Sequence, residues 1–235
     1  IPREVRMVRF GHTPPRSCDA GKYTATGLSG QFARYRHRIR SRCAAEFLLE
    51  FPPHAPYNAC MKKPHEDVDL FAYERALTAD GRGRIAGIDE VGRGALAGPL
   101  VAAGVILDLD NVPLGINDSK KLSARKRETL YDAIIASARA YKIVFTPIET
   151  IDDVNILNAT IMTMQAIVRE MDPPPDHLLI DAVHLPAVST PQTSIIKGDA
   201  KSVSIAAASI LAKVARDRHM EELSKGFPGY GWEKN

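Results

Sequence analysis

Four acidic side chains are the residues in this sequence best suited to chemistry. Asp89 and Glu90 close the apolar run "RIAGIDEV", Asp181 ends "HLLID", and Asp199 follows "TSIIK" and Gly198. Each run reads as a strand, and carboxylates at strand ends converge on one edge of a sheet, where unpaired they repel. Two arrangements relieve that repulsion. One raises the pKa of one member, as in an acid/base dyad; the other places a hard divalent cation among the oxygens. Three or four carboxylates suit two such ions about 3.5–4 Å apart, able to clamp the attacking and leaving oxygens of a phosphodiester. Asp89 and Glu90 add a geometric demand, because neighbouring side chains on a strand point to opposite faces. Both serve one site only if the strand ends or bends there, or if one of them contributes its backbone carbonyl. Gly92 makes such a bend feasible.

The turn Gly92-Arg93-Gly94 lets backbone N–H groups approach a phosphate or sugar closely, with Arg93 as the nearby cation. Gly92, Gly94 and Gly98 loosely echo the dinucleotide fingerprint G-x-G-x-x-G. The spacing is off by one, however, Pro99 follows, and the next element reads as a strand and not a helix. A nucleotide-cofactor oxidoreductase is thus a disfavoured rival. Basic residues flank the acids: Lys120 and Lys121 in a loop, Lys197 and Lys201 around Asp199, Lys213 and Arg216 on the last helix. Together they allow phosphate contacts around an acidic centre, the pattern expected of a nuclease.

These side chains need a scaffold, and the hydrophobic periodicity supplies an α/β one. Residues 66–79 predict a short helix with Leu70, Tyr73 and Leu77 on one face. "RIAGIDEV" and "LVAAGVILD" predict two strands around the glycine turn, and "VPLGINDSKKLS" a loop. Ser123 is placed to cap a helix reaching about Tyr141, with Leu130, Ile134, Ala138 and Tyr141 on its buried stripe. "KIVFTPI" follows as a strand. Asp152 or Asp153 then caps a helix whose stripe is Val154, Leu157, Ile161, Met164, Val168 and Met171, a core face that "PPP" at 173–175 stops. "HLLID" and "TSIIK" are strands. A last helix runs from about Ser202 to Leu223, where Ala206, Ala207, Ala208, Ala212 and Ala215 permit close packing. The order ββ-α-β-α-β-β-α predicts a mixed sheet.

Charge divides the chain. Residues 1–60 hold ten basic and four acidic residues, a charge of +6, and all three cysteines; the other 21 basic and 24 acidic residues give −3. The basicity therefore belongs to the first segment, where "FARYRHRIRSRC" and the proline-broken "FPPHAPYNAC" predict disorder or a non-native extension, with a short helix around Ser41–Leu49. The segment from Met61 to Asn235 differs in composition and reads as the catalytic domain, so a start near Met61 is a hypothesis of its own. There is no C-x-x-C pair, and the seven histidines lack metal-ligand spacing, which argues against structural zinc. With no apolar run long enough for a membrane helix and no signal sequence, the expected setting is the cytoplasm, away from membranes.

The motifs "GIDEVGRGALAGPLVAAGVIL", "NDSKKLS", "LLIDA", "IIKGDAKS" and "AAASILAKVARDRHM", in that order, closely resemble bacterial ribonuclease HII over about residues 66–235. The resemblance implies a ribonuclease H-like fold, a mixed central sheet flanked by helices, with a helical C-terminal extension. It implies hydrolysis of the RNA strand of RNA–DNA hybrids, and incision 5′ to single ribonucleotides embedded in duplex DNA as in ribonucleotide excision repair, leaving 3′-hydroxyl and 5′-phosphate ends. By the same resemblance the catalytic, metal-holding acids are Asp89, Glu90, Asp181 and Asp199, with two divalent ions, Mn²⁺ or Mg²⁺. Gly92, Arg93 and Gly94 would read the ribose 2′-hydroxyl, the group that tells RNA from DNA. Lys120 would touch phosphate, with Lys213 a further substrate-binding residue. Type III relatives usually lack the loop arginine, so Arg93 points to type II, and the family expectation is a monomer.

Two departures from the pattern are visible. Ala182 follows Asp181 where the family commonly has glycine. The sequence also stops at "GYGWEKN", where family members continue with a second Gly-Tyr segment whose tyrosine stacks at the RNA–DNA junction. Tyr230 belongs to the first such segment and does not carry that role. A truncated extension implies an intact metal site with weakened junction recognition, and leaves a catalytically impaired hybrid-binding protein as the alternative.

Overall fold

The structure, a computed structural model, describes residues 5–7 and 68–234. The expectations for the first sixty residues, including the helix near 41–49 and the boundary at Met61, lie outside the described residues, apart from Val5–Met7. Those three form strand β1, parallel to β4 (Ala140–Thr146). The other strands are β2 (Ile85–Val91), β3 (Leu100–Ile106), β5 (His177–Asp181) and β6 (Gln192–Ile195). One sheet holds them in the order β1-β4-β3-β2-β5-β6. β3 pairs antiparallel with both β2 and β4, whereas β2–β5 and β5–β6 are parallel. The predicted mixed sheet is present.

The helices are α1 (Ala72–Ala79), α2 (Ala124–Ser137), α3 (Ile148–Val154), α4 (Ile156–Glu170) and α5 (Val203–Gly226). Strand alternation sorts the core into two layers. Val101, Ala103 and Val105 of β3 face the alanines of α5 and, beside them, Leu130 and Ile134 of α2. Ala86, Ile88 and Ala102 face Met164 and Ile167 of α4. A strand covered on both sides reads as a continuous apolar run, which is what β3 is. The alanines let α5 come very near the sheet: a Cβ added to Gly87 would lie 2.1 Å from the backbone carbon of Ser204. No larger residue fits at Gly87.

Two predicted helix boundaries move, and some helix faces turn differently. The helix from Ser123 ends at Ser137 and not near Tyr141, because residues 140–146 are drawn into a seven-residue ladder with β3. Asp152 and Asp153 belong to α3; the cap of α4 is Asn155, whose side chain accepts from the N–H groups of Leu157 and Asn158 at φ +67°. Leu157 is half exposed, and the buried α4 stripe includes Ile167 instead. In α1, Tyr73 points outward while Glu74 is fully buried. Glu74 Oε1 accepts from Ser202 Oγ (2.5 Å) and from the Ser204 N–H (3.0 Å). A carboxylate there meets the positive end of α5.

Candidate active site

β2 and β5 run side by side in parallel, with Ile88 opposite Ile180. The next residue on each is an acid, Asp89 and Asp181, so the register itself brings two carboxylates together at the ends of neighbouring strands. Both share the face of Gly87 and Leu179, toward α5. Glu90 alternates to the other face, as the sequence demands. All three nevertheless line one cavity of about 360 Å³, because it wraps the end of the sheet. Lys120, Lys213, Ser119, Arg127 and Ser209 complete its wall. Of the arrangements expected for the pair Asp89–Glu90, the strand end is the one present: β2 stops at Val91, one residue beyond Glu90.

Asp199 stands next to this cavity and not in its lining. It sits in a short 3₁₀ turn (Gly198–Ala200) and is 5% exposed. Its Oδ2 accepts from Lys120 Nζ at 3.1 Å, and its charge reaches Asp181. Asp181 Oδ1 in turn accepts from the Gly198 N–H at 2.7 Å. Arg93 donates to Glu90 Oε1 at 3.1 Å, while Glu90 Oε2 is buried without a hydrogen-bond partner. Asp89 accepts from the N–H of Glu90 (2.8 Å); Ser209 stands beside it in the cavity wall, its hydroxyl paired with that of Ser119 at 2.8 Å. The Gly-Arg-Gly turn follows β2 directly, with Gly92 at φ +107°.

Burial pushes the carboxyl of Asp89 well up, and the charges of Glu90 and Asp181 push in the same direction. Glu90 is also raised by burial, with Arg93 opposing. Asp181 is raised by burial and by Asp199, with the Gly198 N–H opposing. Lys120 is raised by its bond to Asp199. Among the described residues, no three His, Cys, Asp or Glu side chains form a ready-made metal cage. The acids are held by Arg93, Lys120 and the Gly198 N–H instead. Their chemistry still fits a hard cation: the ligand atoms are all oxygen, three of the acids resist ionisation in one cavity, and Glu90 Oε2 is an orphan.

The sequence and the structure differ on individual residues. Lys213 lines the cavity but donates to Asp217 Oδ1 at 2.6 Å. Arg216, expected to touch phosphate, is 2% exposed and faces the interior. Lys197 and Lys201 are exposed, as surface phosphate contacts require. Ser119, Ser209 and Arg127 were missed as cavity residues. Ser209 is the one hydroxyl within "AAASILA", a signal that a polar group is wanted there; Arg127, which donates to the carbonyls of Ser119 and Leu122, carries none.

A family model described as Ribonuclease HII matches residues 86–235. The chain belongs to the ribonuclease HII family. This is an enzyme family, of endoribonucleases that act on RNA–DNA hybrids. The ribonuclease HII of Ruegeria pomeroyi is 54% identical over 166 residues, 70% of each chain. The ribonuclease H2 of Pyrococcus horikoshii superposes with a TM-score of 0.56 at 26% identity, covering 64% of this chain and 83% of that one. The ribonuclease HII in the PCNA complex from Archaeoglobus fulgidus does so at 0.55 with 32% identity, over 63% and 80%. The fold is therefore ribonuclease H-like, as the motifs implied.

Proposed function

We propose that this chain hydrolyses the RNA strand of RNA–DNA hybrids and incises 5′ to single ribonucleotides in duplex DNA, leaving 3′-hydroxyl and 5′-phosphate ends. The observation that carries the reading is the meeting of Asp89, Glu90 and Asp181 in one cavity with Lys120 and Lys213, directly before the Gly-Arg-Gly turn. Asp89, Glu90, Asp181 and Asp199 are the residues to hold divalent ions, Mn²⁺ or Mg²⁺, and the all-oxygen donor set supports that choice. The chemistry such ions supply is activation of water and neutralisation of charge at the phosphate.

The chain's own residues do the remaining work. Gly92, Arg93 and Gly94 stand one step beyond the acids and read the 2′-hydroxyl of the sugar next to the scissile phosphate. Lys120 and Lys213, at the cavity wall, take the substrate's phosphates. Ser209 stands beside Asp89 in the cavity wall, its hydroxyl paired with that of Ser119.

The test is a labelled DNA duplex carrying one ribonucleotide, incubated with Mn²⁺ or Mg²⁺ beside an all-DNA duplex and a long hybrid. Incision 5′ of the ribonucleotide, abolished by EDTA or Asp89→Asn, is the expected result. Cutting of the long hybrid alone would remove the junction-recognition part. Tight binding without cleavage of any substrate would overturn the reading in favour of a hybrid-binding protein.

A further inference from the structure

The loop assigned to sugar reading rests on a buried cation. Arg216 of α5 is 2% exposed and among the largest fully buried side chains. Its Nε donates to the carbonyl of Pro99 (3.1 Å) and its Nη2 to that of Ala97 (2.8 Å). Both carbonyls belong to the segment that leaves Gly92-Arg93-Gly94 and re-enters the sheet at β3. The two left-handed glycines of this segment, Gly92 (φ +107°) and Gly98 (φ +87°), lie against the same side chain. A Cβ on Gly92 would stand 2.9 Å from the Pro99 oxygen and 3.0 Å from Arg216 Nε. One on Gly98 would stand 2.4 Å from Met220 Sδ and 3.3 Å from Arg216 Nη2. Met220, one helical turn beyond Arg216, is 1% exposed and completes the bed.

A guanidinium is planar and offers its donors in a fixed fork, so two carbonyls bound to it are held at a set separation and angle. We propose that Arg216 is a positioning residue for substrate selection: from inside the fold it holds residues 92–99 in the one conformation that lets Gly92, Arg93 and Gly94 meet a ribose 2′-hydroxyl. This rests on the sugar-reading assignment made above and adds its support. The role is distinct from phosphate contact, which burial denies to Arg216. A lysine keeps the charge but not the fork, so the loop gains alternative conformations while the acids stay where β2 and β5 put them. Misplacing a reacting sugar by about 1 Å costs on the order of a hundredfold in rate.

The experiment compares the full chain with Arg216→Lys and Gly98→Ala. Gly98→Ala keeps the guanidinium but lifts the loop from its bed. Three readouts are taken: amide hydrogen exchange by peptide, Mn²⁺ affinity by calorimetry, and kcat and KM on the single-ribonucleotide duplex. In both variants, exchange should rise by about tenfold or more in peptides spanning 92–99 and stay unchanged in β2 and β5. Mn²⁺ affinity should stay within about twofold, and kcat should fall by about tenfold or more with KM little moved. Uniform acceleration of exchange across the sheet would mean a general structural role and overturn the proposal. So would an unchanged kcat in a variant whose loop exchanges faster. Should Arg216→Lys fail to fold, Gly98→Ala alone decides by the same criteria. Failure of the parent chain to incise the duplex would instead remove the sugar-reading assignment, and the proposal with it.

Discussion

Asp89 is 5% exposed, with its carboxyl raised by burial and by two neighbouring acids. A folded-state pKa above the unfolded value of about 3.9 means that, without a bound cation, the native state holds the extra proton. Stability is then fully present below the unfolded pKa and is lost as pH rises through the folded one. In EDTA, Asp89→Asn should therefore melt above the parent, and the gap should widen from pH 5 to pH 8, even though activity falls by at least about a hundredfold. Thermal melts at the two pH values check this; a variant that melts lower at both would contradict it. Ala182, beside Asp181, sits at φ +51°, the left-handed region where the family's glycine is at ease. Ala182→Gly should gain about 0.5–1 kcal/mol, read from urea unfolding, the relief of strain exceeding glycine's entropy cost. At this scale the sequence marks Asp89, Glu90 and Asp181, which stand at the ends of apolar runs and line one cavity, whereas Asp199 stands beside it in a 3₁₀ turn. It was silent on the partners that hold them, which, apart from Arg93 three residues after Glu90, come from other elements of the chain.

Glu74 and Gly87 belong to the scale of elements, since each fixes how α5 sits. Glu74 ties α1 to the start of α5 through Ser202 and the Ser204 N–H. Glu74→Ala leaves those donors buried and should cost about 2–4 kcal/mol. At about 2–4 °C per kcal/mol for a domain of this size, the loss is visible in a thermal melt. Gly87→Ala forces Cβ into the Ser204 backbone, which no rotamer change relieves, and should cost about 3 kcal/mol or more. Urea titration of both variants measures these costs; near-parental stability of Gly87→Ala would show that α5 can shift freely. Strands β2 to β6 and most helices were legible from periodicity, and the cap at Ser123 from its residue type; β1 (Val5–Met7), in the segment read as disordered or non-native, was not. The burial of Glu74 was not, because an acid on a short amphipathic helix reads as a solvated face until α5 is laid across it. The end of α2 was misjudged for a related reason: Tyr141 fits a helical stripe, and only pairing with β3 assigns it to a strand.

For the whole molecule, the substrate is a polyanion approaching a cavity that holds both acids and lysines. Lys213 lines that cavity while bonded to Asp217. If it engages one phosphate of a bound hybrid, Lys213→Ala should flatten the slope of log K against log salt by about 0.9, or about 0.7 for a single-stranded contact. Fluorescence anisotropy in EDTA across a KCl series measures this, and an unchanged slope would leave Lys213 with Asp217 alone. Among the described residues no helix is long and apolar enough to cross a membrane. The coarse architecture was readable because an apolar strand or an alanine-rich helix announces itself locally. The depth of Arg216 was not, since arginines on a polar-looking helix are ordinarily outside.

Ser209 and Arg216 lie seven residues apart on α5, close to two turns, so one rod presents its serine to the acids and its arginine to the glycine loop. The helix thus works as a gauge. Residue exchanges along it alter one contact at a time, but loss or gain of a single residue between those two positions rotates one against the other by about 100°. Length variation in this stretch of a descendant sequence should be far rarer than substitution, and where it occurs the two contacts should not both survive.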